Sequence, residues 1–252
     1  MYNDRRMDFI IIIYILFGIL PSLTWLFYYL RKDLHPEPKR VILKIFLWGA
    51  AITIPVFFVQ IGLAYLLDNA NLSALVTSLI YWFLVISFTE EIFKYLVVKF
   101  KAINRPDMDE PVDIVIYMVV AALGFAALEN ILYLFAPTGQ LSFEDILSRT
   151  LLISFIRFIG ATFLHTLCSA VIGYALAISY HDEKNHVMEI IFGIIMATLL
   201  HGLYDFSIMT LDGYLKIVVP AIVIIALAFL VFSGFSKLRK LKSITLIEPI
   251  KN

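Results

Sequence analysis

The stretch DIVIYMVVAALGFAALENILYLF, residues 113–135, decides the fold class of this chain. It is long and apolar enough to cross a bilayer, because a membrane-spanning helix needs about 20 mostly apolar residues. Its alanines and Gly124 allow neighbouring helices to approach closely. Its interior nevertheless contains Glu129 and Asn130. We therefore predict a transmembrane helix that packs inside a bundle and carries an ionisable group away from water.

The rest of the chain has the same apolar character. Of its 252 residues, 61% are hydrophobic and 16% are charged, which is typical of a protein that crosses the membrane several times. Six further stretches are long enough to span, namely residues 9–30, 41–67, 73–98, 151–179, 187–209 and 215–235. The sequence thus predicts an all-α polytopic membrane helix bundle with about seven transmembrane helices, in a single integral membrane domain over residues 1–252.

The basic residues predict how the bundle is oriented. They cluster after the first helix, after the third helix and in the C-terminal tail, which all lie on one side of a seven-helix bundle. Because lysine and arginine are enriched in cytoplasmic loops, we expect the N-terminus outside and the C-terminus in the cytoplasm. The residues are Arg31, Lys32, Lys39, Arg40, Lys44, Lys99, Lys101, Arg105, Lys237, Arg239, Lys240 and Lys242. Arg5 and Arg6 favour the reverse orientation but are outnumbered.

The overall charge and the cysteine count narrow the expected partners. Twenty basic residues balance twenty acidic ones, so the formal net charge is zero. Without an excess of positive charge the chain has no general attraction for nucleic acid, and we expect no nucleic-acid partner. The lipid bilayer is the expected environment. Cys168 is the single cysteine, so an intrachain disulfide is excluded.

Glu90, Glu91 and Lys94 are the first ionisable residues inside a predicted helix. A charged side chain near the bilayer centre costs about 2.5–3.5 kcal/mol on insertion scales, so a chain that keeps several of them is expected to use them. Glu90 and Lys94 are at i and i+4 and can pair, whereas Glu91 points about 100° further round the helix. Lys94 could instead extend to the cytoplasmic surface, which would make this group a solvated helix end.

Glu129 has no basic residue within one helical turn. A buried carboxyl group of this kind is protonated, pairs with a group on another helix, or binds a metal ion. Without a functional role, it would be a protonated glutamate that shares a hydrogen bond with a neighbouring helix. The sequence leaves these options open.

Two histidines follow on the next two predicted helices. His165 shares the fifth predicted helix with Arg157, which lies close enough to the outer end of that helix for its side chain to reach the membrane surface. His201 and Asp205 are at i and i+4 of the sixth. Asp205 can accept a hydrogen bond from one imidazole nitrogen and leave the other free as a ligand, or it can be a ligand itself. An Asp–His pair that only satisfies two polar groups is the alternative.

Glutamates and histidines on four successive helices can converge in one bundle. Glu and His ligands with a spare carboxylate are typical of a hydrolytic zinc site, where the metal lowers the pKa of bound water and the carboxylate takes its proton. A metal-free site is also consistent with these residue types. In that case a glutamate activates water and a histidine stabilises the oxyanion.

The predicted helix ends argue against one common site. At about 1.5 Å per residue, Glu90 and His165 fall nearer the cytoplasmic side. Glu129 and His201 fall nearer the outside, at an expected separation of about 10–15 Å that is too wide for one site in straight helices. Two separate polar clusters would favour a proton- or ion-coupled transporter, which is the alternative function that these residues allow.

The order of the motifs resembles one known family. The motifs are Glu90-Glu91-x-x-Lys94, then Phe125-x-x-x-Glu129-Asn130, then His165 and then His201. Their order on successive membrane helices is similar to that of the PrsW family of intramembrane proteases, which resembles the CAAX prenyl-protease and bacteriocin-processing group. The resemblance covers about residues 85–210, which form the expected site-bearing core.

The resemblance implies hydrolysis of peptide bonds within or at the membrane. The implied substrates are membrane-anchored regulatory proteins such as anti-sigma factors, in a bacterial or archaeal cell membrane. The implied catalytic residues are Glu90, Glu91, Glu129, His165 and His201.

Roles are assigned to these residues as hypotheses. Glu90 or Glu91 would be the general base that activates water. Glu129, His165 and His201 would hold a zinc ion, or the histidines would stabilise the oxyanion without a metal. The accessory residues would be Lys94, Asn130, Arg157 and Asp205. Members of the family that the chain resembles often carry Asn at the position of Asp205, which leaves its role as ligand or orienting group open.

Overall fold

The computed structural model describes residues 2–31, 36–103, 108, 110–136, 142–180 and 185–238. These residues form nine α-helices and one π-helical segment and contain no strand. The helices are α1 (Tyr2–Leu30), α2 (Lys39–Asp68), α3 (Ala74–Ile80), α4 (Thr89–Lys101), α5 (Pro111–Phe135), α6 (Phe143–Ile159), α7 (Ala161–Ser179), α8 (His186–Thr210) and α9 (Leu215–Leu238). The π segment, Tyr81–Phe88, joins α3 to α4.

Seven stretches of the described residues are long and apolar enough to cross a membrane, which confirms the predicted all-α bundle of about seven transmembrane helices. The third stretch consists of α3, the π segment and α4, and the fifth consists of α6 and α7. Many large apolar side chains are exposed on the outside of the bundle. Such a surface is stable where lipid rather than water surrounds the protein.

The prediction of one helix over residues 151–179 is wrong in two respects. The helical span begins earlier, at Phe143, and it is broken at Gly160 into α6 and α7. A Cβ atom on residue 160 would collide with the hydroxyl group of Tyr204 and would crowd the carbonyl oxygen of Ile156, so this close approach requires glycine. The whole span has 37 residues, well above the roughly 20 that a straight helix needs to cross a bilayer.

The two ends of the bundle differ in charge. At the basic end α2, α5 and α8 begin, and the ammonium group of Lys101 lies 4.1 Å from the centre of the Trp48 ring. At the opposite end α2, α5 and α8 terminate, and Ser78 contacts Thr210. The described basic residues of the basic end are Arg31, Lys39, Arg40, Lys44, Lys99, Lys101 and Lys237. Lys32, Arg105, Arg239, Lys240 and Lys242 lie outside the described residues. The membrane side that the basic end faces stays a prediction.

Helix α5 is the central helix of the bundle. Its residues 111–127 are buried, because α1, α2 and α7 surround it. At Gly124 a Cβ atom would collide with the backbone carbonyl of Phe46 in α2, so the two helix backbones touch there. This central position carries Glu129 and Asn130 into the interior.

Candidate active site

The ionisable residues of four helices meet in one site, so the two separate clusters that straight helices would give are not formed. The imidazole rings of His165 and His201 lie 5.0 Å apart, centre to centre, and are nearly perpendicular. Glu90 Oε2 lies 3.8 Å from His165 Nδ1 and 3.9 Å from His201 Nε2. Distances counted along straight helices fail here because the fifth span begins at Phe143 and is broken at Gly160, and because a π segment interrupts the third span.

The π segment immediately precedes the two adjacent glutamates. The turns of a π-helix are wider than those of an α-helix, and two side chains donate hydrogen bonds to backbone carbonyl oxygens of this segment. Ser87 Oγ donates to the carbonyl oxygen of Trp82, at 2.7 Å, and Thr89 Oγ1 donates to that of Val85, at 2.5 Å. A π-helix has about one residue more per turn than an α-helix. The extra residue rotates the residues that follow it about the helix axis, so this segment sets the direction in which the side chains of Glu90 and Glu91 point. Such π segments recur at functional sites.

Lys94 lies in the interior and does not extend to the membrane surface, so the alternative of a solvated helix end is not found. Its ammonium group is fully buried and lies 2.9 Å from Glu91 Oε1 and 3.4 Å from Glu90 Oε2. It also lies 2.8 Å from Nδ1 of His165. An ammonium group can only donate, so Nδ1 accepts and the proton of a neutral His165 is on Nε2.

Glu129 pairs across helices. Its Oε2 atom lies 2.9 Å from His165 Nε2 and accepts a hydrogen bond of 2.6 Å from the guanidinium group of Arg157. Arg157 also donates through Nε to Oδ1 of Asn130 and stacks on the ring of Tyr133. The expectation that Arg157 reaches the outer membrane surface is therefore wrong. Its charge stays inside because Glu129 provides the counter-ion.

His201 is held between two carboxylates. Its Nδ1 atom lies 2.9 Å from Glu91 Oε1, and its Nε2 atom lies 3.2 Å from Asp205 Oδ2. Glu91 is fully buried and accepts a further bond, of 3.4 Å, from the hydroxyl group of Ser169. A histidine with one nitrogen fixed by a carboxylate has a defined tautomer and ring orientation.

Glu90, His165 and His201 can together hold a metal ion. One donor atom of each lies within 4.8 Å of the other two, and all three residues are buried. A carboxylate and two imidazoles are the three protein ligands of many catalytic zinc sites. The second nitrogen of each histidine contacts a carboxylate, as is usual for metal-binding histidines. The donor set therefore fits zinc.

A second group of donors, Glu91, Cys168 and His201, also lies within 4.8 Å. The carboxylate of Glu91 already contacts Lys94 and His201, and Cys168 is fully buried. The two groups share His201. The first group faces the open cavity of the site, and the second lies behind it.

A cavity of about 310 Å³ opens onto Glu90. Its polar wall consists of Gln60, Glu90, Glu129, Arg157, His165, His201 and Asp205. Its apolar wall includes Val56, Phe57, Tyr81, Trp82, Ile86, Leu132 and Tyr133. A cavity with convergent ionisable groups and apolar walls is the usual form of an active site.

Three contacting residues were missed by the sequence interpretation. Gln60 of α2 donates through Nε2 to Glu90 Oε1, at 3.2 Å. Tyr133 packs against Arg157, and Ser169 donates to Glu91. Gln60 had a detectable signal, since a carboxamide in the middle of an apolar span needs a partner. Tyr133 and Ser169 have no such signal, because both residue types are common in membrane helices.

Known proteins resemble this chain over nearly its whole length. The sequence profile of the PrsW family intramembrane metalloproteases matches residues 37–233. A protein named Protease PrsW from Bacillus subtilis (strain 168) is 28% identical over 233 residues, which cover 92% of this chain and 96% of the relative. Protease PrsW of Geobacillus kaustophilus (strain HTA426) is 29% identical over 198 residues, which cover 78% and 80%.

A third relative, Protease PrsW of Oceanobacillus iheyensis, is 27% identical over 210 residues, which cover 82% of this chain and 88% of the relative. No solved structure matches the chain. The family resemblance noted from the motifs is thus confirmed, and the alternative of a transporter has no support. The chain belongs to the PrsW family of intramembrane metalloproteases and is a multi-pass membrane peptidase.

Proposed function

We propose that this protein hydrolyses peptide bonds of membrane-anchored regulatory proteins, such as anti-sigma factors, at the site around Glu90. The observation that carries the proposal is the triangle of Glu90 Oε2, His165 Nδ1 and His201 Nε2. Sides of 3.8 and 3.9 Å are too long for hydrogen bonds between these atoms. A metal ion bound by the three atoms would displace the ammonium group of Lys94 from His165 Nδ1. The adjacent cavity opens onto Glu90, His165 and His201.

Glu90, His165 and His201 would hold a zinc ion in this proposal. When bound, zinc lowers the pKa of a water molecule to about 7 and polarises a carbonyl group. The short distances support Glu90 as the third ligand, with Glu129 behind His165 as an orienting group. Asp205 lies next to His201 Nε2 and lines the cavity, which supports it as the group that accepts the proton of the attacking water.

The remaining charged residues hold these groups in position. Glu91 orients His201, and Lys94 keeps Glu91 ionised at a distance of 2.9 Å. Arg157 pairs with Glu129 in the same way, at a distance of 2.6 Å. Glu91 lies behind the histidine, fully buried, which supports a positioning role for it and leaves Glu90 closer to the substrate.

A metal-free mechanism is the second candidate, and the position of Lys94 favours it. The ammonium group lies 2.8 Å from His165 Nδ1, on the lone pair that a metal would use. In this version Glu90 is the general base, with Oε1 held by Gln60 and Oε2 facing the centre of the triangle. His201 then stabilises the oxyanion.

Elemental analysis of the purified protein tests the two versions. About one zinc per chain is expected in the wild type if the three residues are ligands. The variants Glu90→Ala and His201→Ala should lose it, whereas His186→Ala should keep it, because His186 contacts Ser179 away from the site. Peptide cleavage by the wild type without bound zinc would support the metal-free version. Full cleavage by both Glu90→Ala and His165→Ala would refute the site assignment.

A further inference from the structure

Helix α1 packs against the break between α6 and α7. The indole N–H group of Trp25 donates to the backbone carbonyl oxygen of Phe158, at 2.9 Å. Phe158 lies in the last turn of α6, where backbone carbonyl groups have no partner within their own helix. The break at Gly160 therefore leaves a carbonyl group that needs a donor, and Trp25 of α1 supplies one.

The indole ring of Trp25 contacts both sides of the break. It is nearly parallel to the ring of Phe163 in α7, with 4.2 Å between the ring centres and 10° between the ring planes. The ring of Phe158 in α6 lies 5.4 Å away, at 28°. Such stacked rings hold each other in a defined geometry. One side chain of α1 therefore fixes the end of α6 relative to the start of α7.

Tyr29, one turn further along α1, holds α7 directly. Its hydroxyl group lies 3.0 Å from that of Thr166, and both side chains are buried. Thr166 donates its own proton to the carbonyl oxygen of Phe163, at 2.7 Å, so Tyr29 is the donor to Thr166. Trp25 and Tyr29 are four residues apart, which places both contacts on one face of α1.

The residues that α1 holds are the direct neighbours of two residues of the site. Phe158 follows Arg157, and Thr166 follows His165. Successive residues of a helix point about 100° apart, so each helix can turn one side chain to α1 and its neighbour into the site. Arg157 and His165 contact the same oxygen of Glu129, at 2.6 and 2.9 Å. Their separation therefore depends on the angle between α6 and α7.

Helix α1 lies outside the cavity of the site. None of its described side chains lines that cavity. The residues matched by the family profile begin at residue 37, after the end of α1. Any effect of α1 on catalysis must therefore pass through the helices that it touches. It would change the placement of the catalytic groups and leave the walls of the cavity as they are.

We propose that Trp25 and Tyr29 are positioning residues for catalysis, which fix the angle at the break and thereby align Arg157 and His165 on Glu129. This proposal rests on the proposed peptidase function and adds α1 to the parts of the fold that determine its rate. A misplacement of about 1 Å can lower a rate about 100-fold, so a small change of this angle should be measurable in kcat. KM should stay the same, because the cavity walls are not altered.

Replacing Trp25 by 3-benzothienylalanine tests the hydrogen bond. This analogue keeps the two fused rings and carries sulfur in place of the N–H group, so it can stack on Phe163 but cannot donate to Phe158. Cleavage of a fluorescently labelled, single-span anti-sigma factor in mixed micelles gives both kinetic constants. We expect kcat to fall roughly 10-fold at an unchanged KM. The same replacement of Trp48, which is exposed and contacts Lys101, should change neither constant.

Tyr29→Phe is the second variant. It removes the donor to Thr166 and keeps the ring, so kcat should fall in the same direction at an unchanged KM. Tyr65→Phe is its control, because the side chain of Tyr65 is exposed on α2. Thermal unfolding is measured for every variant, and the kinetics are compared well below the lowest midpoint, where all of the proteins are folded.

A double-mutant cycle tests whether the effect of Trp25 passes through Arg157. Arg157→Lys keeps the charge but cannot donate to Glu129 and Asn130 in the same way. In this background the analogue at position 25 should lower kcat less than in the wild type. An equal loss of kcat in both backgrounds would contradict the action of Trp25 through Arg157.

A distance measurement reports the break without relying on activity. Spin labels are placed on Glu144→Cys in α6 and on Tyr180→Cys at the end of α7, in a Cys168→Ala background. Both positions are at least partly exposed, and the two labels lie on opposite sides of Gly160. The analogue at position 25 should shift or broaden the distance distribution, whereas the analogue at position 48 should not.

The outcomes separate this proposal from the proposed function. When the wild type cleaves the anti-sigma factor, an unchanged kcat in the Trp25 and Tyr29 variants overturns the positioning role, and so does a raised KM at an unchanged kcat. Absence of cleavage by the wild type contradicts the peptidase function. The distance distribution then decides alone: a shift supports the hold of α1 on the break, and no shift overturns it.

Discussion

The carboxylate of Glu129 lies 2.9 Å from Nε2 of His165, and the same oxygen accepts a hydrogen bond from Arg157. Glu129 belongs to α5, Arg157 to α6 and His165 to α7. One carboxylate therefore joins the two helices on either side of the break at Gly160 to the central helix. The orientation of His165 depends on this contact, because its other nitrogen faces Lys94.

Arg157→Leu should strongly destabilise the protein. It leaves the carboxylate of Glu129 without its cation, and loss of one partner of a buried ion pair costs about 3–5 kcal/mol. Arg157→Lys keeps the positive charge but removes the guanidinium group that also donates to Asn130. The loss of stability should therefore be smaller than for Arg157→Leu. Unfolding in mixed detergent micelles measures both. Arg149→Leu is the control, since Arg149 donates to the carbonyl group of Leu134 and forms no ion pair among the described residues. Equal losses of stability for Arg149→Leu and Arg157→Leu would contradict a stabilising role of the ion pair between Arg157 and Glu129.

Lys94→Met should destabilise the protein by about 3–5 kcal/mol, because it leaves two buried glutamates without a cation. Adding Glu91→Gln to it should restore part of this stability, since the double variant has one buried charge fewer. Lys99→Met is the control on the same helix, because Lys99 is exposed. Unfolding curves of Lys94→Met, Glu91→Gln, the double variant and the wild type measure the coupling. Strictly additive losses would show that Lys94 and Glu91 do not stabilise each other.

Gln60→Leu should lower kcat/KM roughly 10- to 150-fold. The substitution keeps the approximate volume but removes the hydrogen bond to Glu90 Oε1, and a bond to a charged group contributes about 1.5–3 kcal/mol. Phe58→Leu on the same helix faces lipid and should leave kcat/KM unchanged. Cleavage kinetics and unfolding are measured together. A loss of stability with unchanged kcat/KM would mean that Gln60 is only a packing residue.

Gly160→Ala should destabilise the junction of α6 and α7 by about 1–3 kcal/mol, as is usual for overpacking. The added Cβ atom collides with the hydroxyl group of Tyr204. The double variant Gly160→Ala/Tyr204→Phe should therefore recover part of the loss, because the colliding hydroxyl group is removed while the contact with the carbonyl oxygen of Ile156 remains. Thermal unfolding in detergent measures both. The proposed collision is refuted when the double variant is no more stable than Gly160→Ala alone.

Several features of the fold were predictable from the sequence for one physical reason. A bilayer core of about 30 Å requires about 20 apolar residues per span, so the seven spans follow from hydropathy and length alone. The high cost of a charge in lipid likewise makes Glu90, Glu129, His165 and His201 stand out within their apolar stretches. The break at Gly160 left no such trace, since one glycine in an apolar run is common in membrane helices.

The sequence by itself determined that this protein is a membrane bundle of about seven helices with glutamates and histidines on four of them. Hydropathy and charge are properties of single residues and their neighbours along the chain, and they suffice for that conclusion. Only the tertiary structure decided that these residues meet, that Arg157 and Lys94 turn inward, and that Gln60 joins them. Those facts depend on helix offsets, on the break at Gly160 and on the π segment, which set each side chain's direction through packing between helices.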